Sequence, residues 1–166
     1  MPASRSAAGA IERSRRSSLA SRPAWLCRRG ECAVTTRATN GSPTDTELRR
    51  SVAIAFADGG LLALLAARPV GAAGHGDEEI VAGLTDPEGQ IAITEALLST
   101  QYDSEGRQRR ANIELWHEDE LPLRAAGSII NGATVEVGSQ RIDTGFFRWA
   151  LDGRPGLGRY EVVRRG

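Results

Sequence analysis

The sequence predicts an all-β fold: an antiparallel meander, closed as a barrel or folded as a sandwich, behind a disordered N-terminal arm. Three features carry this. Turn-forming clusters recur at short, regular spacing after Gly74. The runs between them are of strand length, and many alternate apolar with polar residues. The last stretch, residues 141–164, reads as two aromatic-rich runs joined by Asp152, Gly153, Pro155, Gly156 and Gly158, which is a β-hairpin signature.

Residues 1–50 form the expected arm. They are rich in Ser, Ala and Arg, with no apolar period, so burial cannot offset the entropy of ordering them. The arm reads as a disordered tail, as an Arg- and Ser-rich targeting segment, or as the product of a start codon placed too far upstream. It is not a secretory signal, because no apolar core follows the early arginines. Cys27 and Cys32 both lie in it, and no nearby Cys or His completes a zinc site. A disulfide is feasible across that gap, and two free thiols in a reducing compartment are the expectation.

Residues 52–73 are rich in Ala and Leu and look like a membrane span at first sight. Asp58 and Arg68 fall inside the run, and Gly59, Gly60, Pro69 and Gly71 interrupt it, so a spanning helix is rejected. Two strands about an Asp58-Gly59-Gly60 turn fit better, with a short helix over 61–68 as the alternative. The domain is therefore expected over residues 51–166.

Turns follow at Asp86-Pro87-Glu88-Gly89, at 103–106, at 118–122, at Asn131-Gly132, at Gly138-Ser139 and at 152–158. The strands expected between them are 79–84, 90–102, 107–117, 123–130, 134–137, 140–151 and 159–164. The two-residue period assigns faces. Ile91, Ile93 and Leu97 share one with Glu95. Ala111, Ile113 and Leu115 share one with His117, opposite Asn112, Glu114 and Trp116. Phe147, Trp149 and Leu151 oppose Arg148 and Ala150, and Tyr160 and Val162 oppose Glu161 and Val163. Each large side chain buried on such a face is worth about 1.5–3 kcal/mol. The second face is mixed, as suits a solvated sheet surface or a semi-polar barrel lumen.

Composition narrows the function. All 21 basic residues are Arg, which reads as the codon usage of a high-GC bacterium and lowers the weight of any Arg cluster. Net charge is zero, but residues 1–50 carry +6 and residues 51–166 carry −6. An acidic body does not bind nucleic acid. Gly153, Gly156 and Gly158 join two strands and precede no helix, so they make no phosphate loop. Glu118, Asp119 and Glu120 read as a solvated turn and lack the oxygen ligands of a calcium site. No nucleophile elbow, HExxH or CxxC occurs. No metal and no cofactor are expected.

The weak catalytic candidates are Glu161, His75 and His117, since His and carboxylate suit proton transfer near neutral pH. His75 with Asp77 and His117 with Glu114 could form a site, although Glu114 and His117 fall on opposite faces of one strand. Arg148 and Glu161 share the face opposite the aromatic row and would form an ion pair if their strands place them side by side. Trp149, Phe147, Tyr160, Trp116 and Arg148 are the ligand-binding candidates, with core packing as the default role of the aromatics.

Gly74-His75-Gly76-Asp77 before a strand, the meander, and the hairpin Trp149-x-x-Asp152-Gly153-Arg154-x-Gly156-x-Gly158-x-x-Glu161 resemble the lipocalin-like group of hydroxyneurosporene synthase (carotenoid 1,2-hydratase) and AttH-like proteins, above all its actinobacterial members. The resemblance covers about the last 90 residues. Members of that group usually carry two lipocalin-like halves, and this chain has room for one. The resemblance implies a barrel that holds an apolar small molecule, isoprenoid or lipid-like, and it transfers no catalytic residue. Three functions are therefore carried forward: a binder of such a molecule, an enzyme using Glu161 and a histidine for proton transfer on the same scaffold, and a half-domain that forms a homodimer or pairs with another β domain. A cytoplasmic location is the default expectation.

Overall fold

The computed structural model describes residues 26–28, 31–33, 46–117 and 121–166. The chain divides into two units, Met1–Arg37 and Ala38–Gly166. In the first, strands β1 (Leu26–Arg28) and β2 (Glu31–Ala33) pair antiparallel with Cys27 opposite Cys32. The thiols and the rest of the arm up to residue 45 lie outside the described residues, as do Glu118, Asp119 and Glu120.

The second unit is all-β, as expected. Its strands are β3 (Thr46–Phe56), β4 (Leu61–Pro69), β5 (Glu79–Asp86), β6 (Gly89–Ile91), β7 (Glu95–Tyr102), β8 (Gln108–Trp116), β9 (Leu123–Val137), β10 (Gln140–Leu151) and β11 (Arg154–Arg165). They form one nine-stranded antiparallel sheet in the order β6-β5-β4-β3-β11-β10-β9-β8-β7. One sheet excludes the two-sheet sandwich. The last strand pairs with the first, β11 with β3, so the break in the meander falls between β6 and β7. The sheet curls into a half-barrel. Edge strand β7 reaches β11 across the interior, where Thr100 Oγ1 and the Tyr160 hydroxyl lie 2.5 Å apart. Among the described residues no helix is long and apolar enough to cross a membrane.

β3 begins at Thr46, so residues 46–50, which the sequence reading left in the arm, are the first half of an eleven-residue strand. Alternation explains it: Leu48 and Arg50 continue the inward row of Val52, Ile54 and Phe56. Residues 61–68 are strand and not helix, because the 57–60 turn returns the chain against β3 in register, Leu64 beside Val52 and Leu62 beside Ile54.

Three expectations fail. The run 90–102 is not one strand. β6 and β7 are separated at residues 92–94, and β6 pairs with β5 while β7 pairs with β8. The break shifts the two-residue period, so Ala96 and Leu98 face inward and Leu97 is exposed, although Ile91 and Ile93 still pack on the core. Asn131-Gly132 is not a turn. Both of its flanks pair with β10, so β9 runs through as one strand with a bulge at Ile130 opposite Phe146 and Phe147. The last turn is only Asp152-Gly153, both at positive φ (45° and 86°), the two-residue type I′ pattern. Pro155, Gly156 and Gly158 belong to β11.

Those glycines have a packing role. Gly156 stands opposite Trp149, Gly158 opposite Phe147, and Gly145 opposite Tyr160. On the other side of β10, Gly127 also faces Trp149. A Cβ on Gly127 would sit 2.5 Å from the Trp149 ring, and one on Gly145 would sit 2.7 Å from the Phe147 ring. Each fully buried aromatic thus lies over a residue with no side chain, which keeps the inner surface of a tightly curled sheet filled without overlap.

Gly158→Ala is expected to lower stability by about 3 kcal/mol in urea unfolding, because its Cβ would lie 2.3 Å from the Ala53 carbonyl oxygen. Gly74→Ala, with nothing within 4 Å, should shift stability by no more than about 0.5 kcal/mol.

Candidate functional site

The inner face of the curl has an aromatic zone and a polar end. In the aromatic zone Phe147 stacks on Trp149 at 5.5 Å between ring centroids and meets Tyr160 edge-on at 5.6 Å. All three are fully buried. The indole N–H of Trp149 is buried and, like Arg68 Nε and Arg154 Nη2, has no hydrogen-bond partner among the described residues.

The polar end carries the 70–78, 103–107 and 138–139 connections. Arg50, buried on β3, directs its guanidinium at Glu78: Nε donates to Oε1 at 2.9 Å and Nη2 contacts Oε2 closely. Its Nη1 donates to Thr100 Oγ1 at 3.2 Å, and that oxygen also shares a hydrogen bond with Tyr160. Burial works against the guanidinium charge, and the Glu78 hydrogen bonds with nearby Coulombic attraction outweigh it, so the Arg50 pKa is raised. Burial pushes the Tyr160 phenol far up, beyond what Thr100 and Arg50 restore. The phenol therefore stays neutral near neutral pH and shares its hydrogen bond with the Thr100 hydroxyl.

Beside it, Asp143 on β10 is buried to the same depth as the aromatics. Its Oδ1 accepts from Thr134 Oγ1 at 2.6 Å and from Arg141 Nε at 3.2 Å, while Arg164 Nη1 closely contacts Oδ2. Arg164 continues to the Gly106 carbonyl at 3.0 Å and lies over the Tyr102 ring at 5.0 Å. Buried Gln108 donates to the Asp143 carbonyl at 2.8 Å. These bonds tie β8, β9, β10, β11 and the 103–107 turn together.

The sequence candidates separate. Phe147, Trp149 and Tyr160 meet. Trp116 is half-buried on β8 with the parity of outward Asn112 and Glu114, so it does not join them. Arg148 is exposed on the outer face. Glu161 is also on that face, accepts from Thr144 Oγ1 at 3.3 Å and has Arg159 at 3.8 Å. The expected Arg148–Glu161 pair does not form, because the register sets Glu161 beside Thr144 and Arg148 beside Leu157, about 13 Å along the strand. His75 lies in a 3-10 turn (His75–Asp77) at the polar end, with its side chain outside the described residues. His117 follows β8 at the other end, and Glu114 there pairs with Arg124 at 3.4 Å. The two histidines therefore do not share a site. Among the described residues no three His, Cys, Asp or Glu side chains cluster as metal ligands would.

Arg50, Glu78, Thr100, Gln108 and Asp143 escaped the sequence reading. The signal for Asp143 was its parity with Phe147 and Trp149. Arg50 had the parity of Val52, but the sequence reading began its first strand after Arg50, whereas β3 begins at Thr46. No family model matches the chain, and no curated protein matches it in sequence.

Glu78→Gln should lower stability by about 3–5 kcal/mol, because it leaves the Arg50 charge buried without its counterion. The Arg50→Met/Glu78→Leu double variant should recover most of that in urea unfolding. The raised Tyr160 pKa gives a second test. Its contribution is full below the ordinary phenol value of about 10 and is lost as pH rises toward the folded-state value. Wild-type stability should fall above about pH 10, and Tyr160→Phe should flatten that fall.

Proposed function

We propose that the domain is a lipocalin-like binder of an apolar small molecule that carries one hydrogen-bond acceptor, held on the Phe147–Trp149–Tyr160 zone inside the curl. The observation that carries this reading is the buried Trp149 N–H without a partner. A buried donor left unpaired costs about 1–3 kcal/mol, so it calls for an acceptor. The surrounding aromatic rings offer apolar contact and no acceptor, which fits a ligand that is mostly hydrocarbon with a single carbonyl, ether or hydroxyl oxygen. An isoprenoid or lipid-like molecule of that kind agrees with the family resemblance. Entry would be at the seam, where no ladder joins β5 to β7. The enzyme reading needed Glu161 beside the ligand, and Glu161 is on the opposite face of the sheet.

Calorimetric titration of the full chain with β-ionone, an isoprenoid ketone, tests this. Saturable binding is expected, weakened about tenfold by Trp149→Phe through loss of one hydrogen bond. Absence of saturable binding, or binding that Trp149→Phe leaves unchanged, would contradict the proposal.

A further inference from the structure

Strand β9 outruns its neighbour. Its ladder to β8 covers residues 123–128 and ends where Arg110 lies beside Ser128, while its ladder to β10 continues to Val137. Residues 129–137 therefore pair on one edge only, and among the described residues no strand runs along the other. This open lane is about 30 Å long. From Ile130 to Val137 every residue is exposed, and Ile130, Val135 and Val137 are each more than half exposed. N–H and C=O groups repeating along such an edge match the backbone of another strand. Edges that stay unpaired are protected by Lys, Pro, a bulge or short length. Past the bulge at Ile130, residues 131–137 have none of these, and their one charge is Glu136.

The chemistry of the lane selects its occupant. Exposed Arg109 and Arg110 stand at the start of β8, at the head of the lane. An antiparallel strand entering the lane lies in line with β8 and ends against these two arginines, so an acid near its C-terminal end is favoured. β9 is itself such a strand: it is open on the same edge, it has the same length, and Glu136 is its penultimate residue. A two-fold axis perpendicular to the sheet near Ala133 lays residues 130–136 of two copies side by side. The outer row of Ala133 and Val135 then stays on one face in both copies, next to half-buried Ile142 on β10. Glu136 comes within about 7 Å, along the strand direction, of the partner's Arg110. The two copies of Glu136 stand about 20 Å apart, beyond the screening length at physiological salt. We propose that the open edge of β9 pairs antiparallel with the same edge of a second copy of the chain, joining two sheets into one across a two-fold axis.

Light scattering on the full chain across a concentration series tests it, together with amide hydrogen exchange. A dimer is expected, with exchange in residues 131–137 slowing as it forms. Val135→Lys and Ala133→Lys, both at exposed positions, place a charge in the paired row and should dissociate the dimer with unchanged far-UV circular dichroism. Glu136→Arg should weaken it about tenfold, and Arg109→Glu with Arg110→Glu in the same chain should restore it. Leu97→Lys, on edge strand β7, should leave it intact. A wild-type chain that stays monomeric at about 100 μM, a concentration at which even a weak specific dimer of μM affinity is populated, would overturn the proposal, whatever else fills the lane. So would a dimer that survives both Val135→Lys and Ala133→Lys, or one in which residues 131–137 exchange as fast as in the monomer.

Discussion

The constraint on which the rest of this structure depends is the matching of aromatic rings to glycines across β9, β10 and β11. A sheet that curls enough for its first and last strands to pair has little room on its inner face. Trp149, Phe147 and Tyr160 occupy that face, and they fit because Gly127, Gly156, Gly158 and Gly145 stand opposite them. Any side chain at those four positions meets a ring or a neighbouring backbone. The curl, the burial of the aromatics and the pairing of β11 with β3 are therefore one feature seen three ways. The same packing leaves the Trp149 N–H buried without a partner among the described residues, which makes it the candidate ligand donor of the proposed function.

At one end the filling changes from rings to charges. Arg50 with Glu78 is a buried ion pair, and buried Asp143 is met by half-buried Arg141 and Arg164, where a purely apolar plug would be at least as stable. What they add is specificity of placement. Arg50 connects β3 to β7 through Thr100, and the Thr100–Tyr160 bond connects β7 to β11, so strands far apart in sheet order are held at one distance. These contacts fix the free edge of β7 against the interior while the β5–β7 seam remains without a ladder. β5 and β7 thus pack against each other at this seam without a backbone ladder.

Much of the fold was legible in the sequence. The period of two assigned Ala111, Ile113, Leu115, Phe147, Trp149, Leu151, Tyr160 and Val162 to the buried face, and all of them are buried. The failures share a cause. Glycines at 132, 156 and 158 were read as turn residues because their local signature is the same whether glycine supplies a positive φ or makes room for a neighbour. Only the partner strand decides between these, and it is distant in sequence. The break at 92–94 was hidden because Ile91, Ile93 and Leu97 continue a pattern that the chain abandons to move from β5 to β8. The site was less legible still. The aromatic trio could be read from parity, but Arg50, Glu78 and Thr100 come from three separate segments, and the expected Arg148–Glu161 pair depended on a register that no local signal sets.

The proposed function joins these levels: glycines permit the rings, the rings bury one indole N–H, and the ligand we propose supplies its acceptor. The most direct test is a crystal structure of the full chain as purified from cells, read at the Trp149 Nε1 atom. The account predicts elongated, non-protein density between the aromatic zone and the β5–β7 seam, with an oxygen within hydrogen-bond distance of the indole nitrogen. A single ordered water there, or a protein carbonyl turned to accept the bond, would contradict it.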